Sequence, residues 1–202
     1  SAIPCHVIAG PLGVGKTTVA LDYLKSQADS DKVAVIVNDF GKTGLDGELL
    51  KASGDHLELR SIPGGCLCCS SMHDFKSALE SVRAARPDLN RILIEPSGLV
   101  IMPDFVPYLK RLCEAFDLNL RPIIALLNPR RTREAHYQSL PFFRALVDHA
   151  DFLVANRIDQ CGEADLTHFR TWTAALRPQK LRVVETEFGR LPKELFEIER
   201  GG

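Results

Sequence analysis

The chain has 202 residues, 45% of them hydrophobic and 25% charged, which excludes a disordered or collagen-like polymer and gives ample length for one α/β-sized core. Lys and Arg (25) balance Asp and Glu (26) to a net charge of −1, so no global positive field exists to hold nucleic acid or an anionic membrane. No apolar run approaches the ~18 residues of a membrane span, and the expected location is the cytoplasm.

Short apolar runs alternate with longer stretches of helical period. Cys5 to Ala9, Val33 to Val37, Leu57 to Ile62, Ile92 to Ile94, Ile123 to Leu127, Phe152 to Ala155 and Leu181 to Thr186 read as strands. Between them Met72, Phe75, Leu79 and Val82 recur at three- and four-residue spacing, as do Phe105, Leu109, Leu112 and Phe116, and later Leu166, Phe169, Trp172 and Leu176. Strand and helix in alternation predict a three-layer α/β sandwich around a mostly parallel sheet of six or seven strands. Its ligands should lie beyond the carboxyl ends of the strands. One domain over residues 1–202 is expected.

The first such end carries Gly10-Pro-Leu-Gly13-Val14-Gly15-Lys16-Thr17-Thr18, a G-x-x-x-x-G-K-[ST] phosphate loop between a strand and a helix. Its glycines let backbone N–H groups face phosphate, Lys16 reaches the β and γ phosphates, and Thr17 is the Mg²⁺ ligand. Glu95, closing Ile92-Leu-Ile-Glu95-Pro-Ser-Gly98, can hold a magnesium-bound water or orient the attacking one. Asp39, in Asn38-Asp39-Phe-Gly-Lys-Thr-Gly-Leu-Asp46, follows the second strand and is a further candidate for orienting water. Asn156-Arg157-Ile-Asp159 is similar to the guanine-reading N-K-x-D, because a carboxylate accepts the N1–H and N2–H₂ pair that adenine lacks. Thr186 to Gly189 could close the base pocket. Six cysteines are present, and Cys66, Cys68 and Cys69 cluster in Gly64-Gly65-Cys66-Leu67-Cys68-Cys69 just before a helix. Thiolates in this spacing suit one soft ion in an incomplete, exchangeable site; buried core thiols or a redox pair are the competing reading.

In this order, GPLGVGKTT, NDFGKTGLD, GGCLCCS, IEPSGL and NRID resemble the CobW-type GTPase metallochaperones, a branch of the P-loop GTPases, from about Ile3 to Phe196. The resemblance implies GTP hydrolysis with Mg²⁺, handling of Zn²⁺ or Co²⁺ at Cys-x-Cys-Cys, and delivery to a client metalloprotein. It makes Cys66 and Cys68 the leading metal ligands, Cys69 a lesser one, and Glu95 the switch carboxylate. Asp39 stands where the family more often has Glu, Arg157 where it has Lys, and Asn128 where relatives commonly carry Asp. The family's smaller C-terminal domain is expected to be absent from residues 1–202. Two other readings stay open: a metal storage or sensor module with structural nucleotide, and a small-molecule P-loop phosphotransferase using Arg130, Arg131 and Arg133.

Overall fold

A computed structural model describes residues 1–27, 30–39, 57–63 and 69–201, with backbone alone for Asp39, Pro63 and residues 69–71. The elements in chain order are β1 (Ile3–Ala9), α1 (Lys16–Lys25), β2 (Val33–Asp39), β3 (Leu57–Pro63), α2 (Cys69–Ala85), β4 (Arg91–Glu95) and α3 (Met102–Ala115). There follow β5 (Leu118–Leu120), β6 (Ile124–Leu127), α4 (Pro129–Thr132), α5 (Ala135–Ser139), α6 (Pro141–His149), β7 (Phe152–Ala155), α7 (Glu163–Ala175) and β8 (Arg182–Glu185). Single 3₁₀ turns lie at Ile158–Gln160 and Lys193–Glu197. None of the described helices is long and apolar enough to cross a membrane.

The strands form an eight-stranded sheet of order β3-β2-β4-β1-β6-β7-β8, with β5 also beside β1. Every pair is parallel. This is the expected architecture with one strand more than expected. Leu118–Leu120 pairs with the start of β1 and Ile124–Leu127 with its end, so two short strands share one edge. Pro122 lies between them, where a residue without an N–H cannot serve a ladder.

The alternation of side chains along each strand divides the core in two. Cys5, Val7 and Ala9 of β1, Ala34 and Ile36 of β2, Ile62 of β3, and Ile92 and Ile94 of β4 pack with α2, α3 and α6 through Phe75, Leu79, Phe105, Leu109 and Phe143. Ile8, Val33, Val35, Val37 and Leu93 face the other way, onto Val19, Ala20 and Tyr23 of α1 and onto Leu195 and Phe196 near the chain's end. His6 lies on this second face. It is 1% exposed, with its ring 5.6 Å from that of Tyr23 and 5.3 Å from that of Phe196. The terminal segment is fastened across the amino ends of the strands: Arg200 pairs with Asp151 at 2.8 Å, and Glu199 pairs with Arg121 at 2.5 Å. The carboxyl ends are thereby left as the edge on which the phosphate loop, Glu95 and the segment from Asn156 to Asp159 converge.

Candidate functional site

β1 delivers the chain into the phosphate loop, and α1 begins at Lys16 with Gly15 before it at φ 103°. That conformation favours glycine, and a Cβ there would stand 2.6 Å from Nδ2 of Asn156. The loop is closed by the Val14 N–H donating to the Pro11 carbonyl at 3.3 Å. Lys16 is 7% exposed, and its Nζ donates to the carbonyls of Gly10 (2.7 Å) and Pro11 (3.3 Å). Burial pushes its pKa down, and the carboxylate of Glu95 counters part of that shift. Thr17 is half-buried and Thr18 exposed at the amino end of α1.

Glu95 ends β4, the strand beside β1, and is 8% exposed. It is in register with Val37 of β2, which fixes it on the face toward α1. The turn that follows is built by Ser97, whose buried hydroxyl accepts the Leu99 N–H at 3.1 Å. Gly98 then lies so close to the phosphate loop that a Cβ would come within 2.6 Å of the Leu12 nitrogen. The carboxylate strand and the phosphate loop are in backbone contact. Gly98 carries that contact in the turn that Ser97 braces, and in the sequence only their place within IEPSGL hinted at it.

The segment from Asn156 to Asp159 is joined to the same loop from the other side. Asn156, 2% exposed at the end of β7, donates through Nδ2 to the Val14 carbonyl at 3.0 Å, across 142 residues of chain. Arg157, in the left-handed region at φ 58°, donates to the Gly13 carbonyl at 2.9 Å. Asp159 is exposed in the 3₁₀ turn beyond. The loop after β8 closes on this group: Ile158 N–H donates to the Thr186 carbonyl at 3.2 Å, and Gly189 sits against Thr18 and Val19. Gly10, Gly13, Val14, Gly15, Lys16, Thr17, Thr18, Glu95, Asn156, Arg157 and Asp159 therefore belong to one edge of the sheet.

Other residues fall elsewhere. Asn128 serves as the N-cap of α4, its side chain accepting from the Arg130 N–H at 3.1 Å. Arg131 pairs with Glu134 at 3.7 Å and Arg133 with Asp165 at 2.8 Å, so two of the three loop arginines are engaged in surface pairs. Asp39 is placed by its backbone at the end of β2, and Cys69 by its backbone at the start of α2. Asp46, Cys66 and Cys68 lie outside the described residues. Cys5 and Cys113 are buried and Cys161 half-buried, all three as free thiols. His73 is exposed on α2. Among the described residues no three His, Cys, Asp or Glu side chains gather as a metal site.

A family model described as CobW/HypB/UreG, nucleotide-binding domain, matches residues 4–184. The zinc chaperone YeiR of Escherichia coli K12 is 34% identical over 197 residues, covering 96% of this chain and 58% of its own length. The zinc chaperone CobW of Pseudomonas aeruginosa is 31% identical over 222 residues, covering 94% and 58%. This chain thus spans about 58% of the length of these curated relatives. Among solved structures, the Zn(II)-bound YjiA GTPase from E. coli aligns with a TM-score of 0.58 at 23% identity, over 92% of this chain and 57% of that one. HypB from Helicobacter pylori in complex with nickel aligns at 0.59 and 13% identity, over 97% and 83%. At these identities the structural likeness establishes the fold, a P-loop GTPase-type α/β sandwich.

Proposed function

The chain belongs to the CobW/HypB/UreG nucleotide-binding family, and from that membership we propose that it is the GTP-binding and GTP-hydrolysing unit of a metallochaperone, with zinc or cobalt as its cargo. The observation that carries the reading is the pair of bonds from Asn156 to Val14 and from Arg157 to Gly13, which fasten a guanine-type motif to a phosphate loop. Base and phosphates of one nucleotide would be held by a single unit. Asp159, exposed beside it, would accept the two guanine donors.

Hydrolysis on such a site is positioning and electrostatics. Lys16 would exchange the Gly10 and Pro11 carbonyls for β- and γ-phosphate oxygens. The N–H groups of Gly13 to Thr18 would receive the remaining charge, helped by the amino end of α1. Thr17 and the buried Glu95 are hard oxygen donors on neighbouring elements and suit Mg²⁺, which when bound neutralises charge between the β and γ phosphates. Glu95 or Asp39 would orient the attacking water. Cys66 and Cys68, with Cys69, would take the cargo ion as thiolates, releasing protons as it binds. GTP and metal affinities should be linked reciprocally, by about 5- to 150-fold. The relatives named as zinc chaperones support this reading, and a client metalloprotein is the receiving partner it implies.

The test is a titration of zinc and cobalt into the protein loaded with GDP, with a non-hydrolysable GTP analogue, or with neither, alongside GTP turnover with each metal. Replacing Cys66 and Cys68 by Ser should remove the tight metal site and leave GTP turnover in place. Equal metal affinity in that double variant and the parent would exclude the motif as the site. Identical metal affinities in all three nucleotide states would exclude the coupling.

A further inference from the structure

The loop that follows β8 presents Phe188 in a way that packing does not explain. The residue is 59% exposed, and its φ of 55° lies in the left-handed region, where Gly or Asn is the ordinary occupant and a bulky side chain is a strained one. A single exposed apolar side chain is common, but strain kept for an exposed ring gains nothing in burial, and such outliers gather at functional sites. The loop is also fastened. Its ends are tied to each other, the Thr186 hydroxyl donating to the Arg190 carbonyl and the Arg190 N–H to the Glu187 carbonyl at 3.1 Å. Both flanks of Phe188 are tied to the candidate site as well. The Thr186 carbonyl accepts the N–H of Ile158, the residue before Asp159. Gly189, at φ 71°, is set so close to α1 that a Cβ there would stand 3.0 Å from the Thr18 carbonyl carbon and from the Val19 nitrogen. Phe188 is thus mounted between the segment proposed to read the base and the end of the loop proposed to hold phosphate. The Arg190 guanidinium stands over its ring, 5.8 Å from the ring centre, and the opposite face is left for another flat group.

We propose that Phe188 is the stacking platform of the nucleotide site: its free face lies against the purine ring of the bound nucleotide, with Arg190 backing it from the other side. The inference rests on the reading of this edge as a guanine-nucleotide site and adds to it a residue of different chemistry. Asp159 would read the donors along the guanine edge, whereas Phe188 holds the face of the base, which guanine and adenine share. A ring already presented by a fastened loop loses little freedom when the base arrives, and the strained backbone at Phe188 serves that presentation.

The experiment compares Phe188→Asn, which removes the ring and suits the left-handed backbone, with Phe188→Trp, which enlarges the ring, both in the full chain. Affinities for non-hydrolysable analogues of GTP and ATP and for inorganic tripolyphosphate are read by calorimetry, with the Tm of each variant. Phe188→Asn should melt at or above the parent. It should bind both nucleotide analogues more weakly by one common factor, roughly 5- to 150-fold, and bind tripolyphosphate as the parent does. Phe188→Trp should keep the parental affinities. Its fluorescence should be quenched by the GTP analogue beyond any change in the parent, whose one tryptophan, Trp172, packs against Phe143 and Phe169. Parental affinities for both analogues in Phe188→Asn would overturn the proposal and leave the ring as a surface for a protein partner. An equal loss for tripolyphosphate would overturn it too, because the loop would then be shaping the phosphate grip. So would a loss confined to the GTP analogue, or an unquenched Phe188→Trp. Asp159→Ala keeps the two readings apart. If it leaves the ratio of GTP to ATP affinity unchanged while Phe188→Asn weakens both, the guanine reading fails and the platform stands. If it shifts the ratio while Phe188→Asn behaves as the parent, only the platform fails.

Discussion

Replacing Gly98 by Ala tests how tightly the Glu95 turn is set against the phosphate loop. Gly98 is not among the glycines with positive φ, so alanine can adopt its backbone and the cost is purely steric. The new Cβ would meet the Leu12 nitrogen at 2.6 Å, the Leu12 Cα at 3.0 Å and the Pro11 carbonyl carbon at 3.2 Å. All three atoms are backbone, and no rotamer change makes room. To reach ordinary contact at 3.4 Å the two segments must part by about 0.8 Å. Overpacking of this kind costs about 1–3 kcal/mol, which for a chain of this size lowers Tm by roughly 2–12 °C. Because a misplacement near 1 Å in a reacting geometry costs about 100-fold, GTP turnover should fall by about 10- to 100-fold at temperatures where the variant is folded. The comparison is Leu146→Ala on α6, 5% exposed in the α2–α3–α6 core. It should lose about 2–5 kcal/mol of stability with parental affinity for a GTP analogue. Melting by calorimetry and turnover by phosphate release check both. If Gly98→Ala melts with the parent, or loses stability but hydrolyses GTP at the parental rate, the contact does not position the loop and the reasoning is wrong.

Asp159→Ala should weaken GTP by about 30- to 150-fold with little change in ATP affinity or Tm, since its carboxylate makes no hydrogen bond or ion pair among the described residues; a calorimetric titration in which GTP and ATP keep the parental ratio would refute the guanine assignment. Burial, then the charges of Arg91 and Arg121, lower the His6 pKa from 6.5 to about 3, so between those values the unfolded chain takes up a proton that the folded one refuses. Stability is accordingly full above pH 6.5 and declines as pH falls toward 3, by up to about 1.4 kcal/mol per pH unit from this group. His6→Phe should flatten the decline in Tm between neutral pH and about pH 4.5 by that one-proton share, and parallel profiles for variant and parent would count against it.

Much of the fold was legible because a parallel sheet covered on both faces needs unbroken apolar strands, and Val33 to Val37 or Phe152 to Ala155 announce themselves in that way. β5 escaped notice because three residues are too few to show a period. The helices between Pro129 and His149 escaped because two of them are four and five residues long and the third spans nine. The phosphate loop was plain, since its glycines, Lys16 and Thr17 are adjacent in the chain. What the motifs could not reveal is their mutual grip: the Asn156 amide on Val14 joins residues 142 apart. The backbone approach of Gly98 to Leu12 is likewise visible only in three dimensions. Asn128 shows the reverse case, a residue at a suggestive strand end whose side chain is used to cap a four-residue helix.

The bonds from Asn156 and Arg157 to the phosphate loop divide labour within four consecutive residues. Two of them are structural ties, and altering either loosens the loop proposed to hold phosphate. The fourth, Asp159, stands free of those ties. If Asp159 reads the base as proposed, recognition can drift, or be redesigned, at position 159 without disturbing the ties next to it. A chain with a changed choice of nucleotide should be sought among substitutions there and not at Asn156, where loss of selectivity and loss of grip would arrive together.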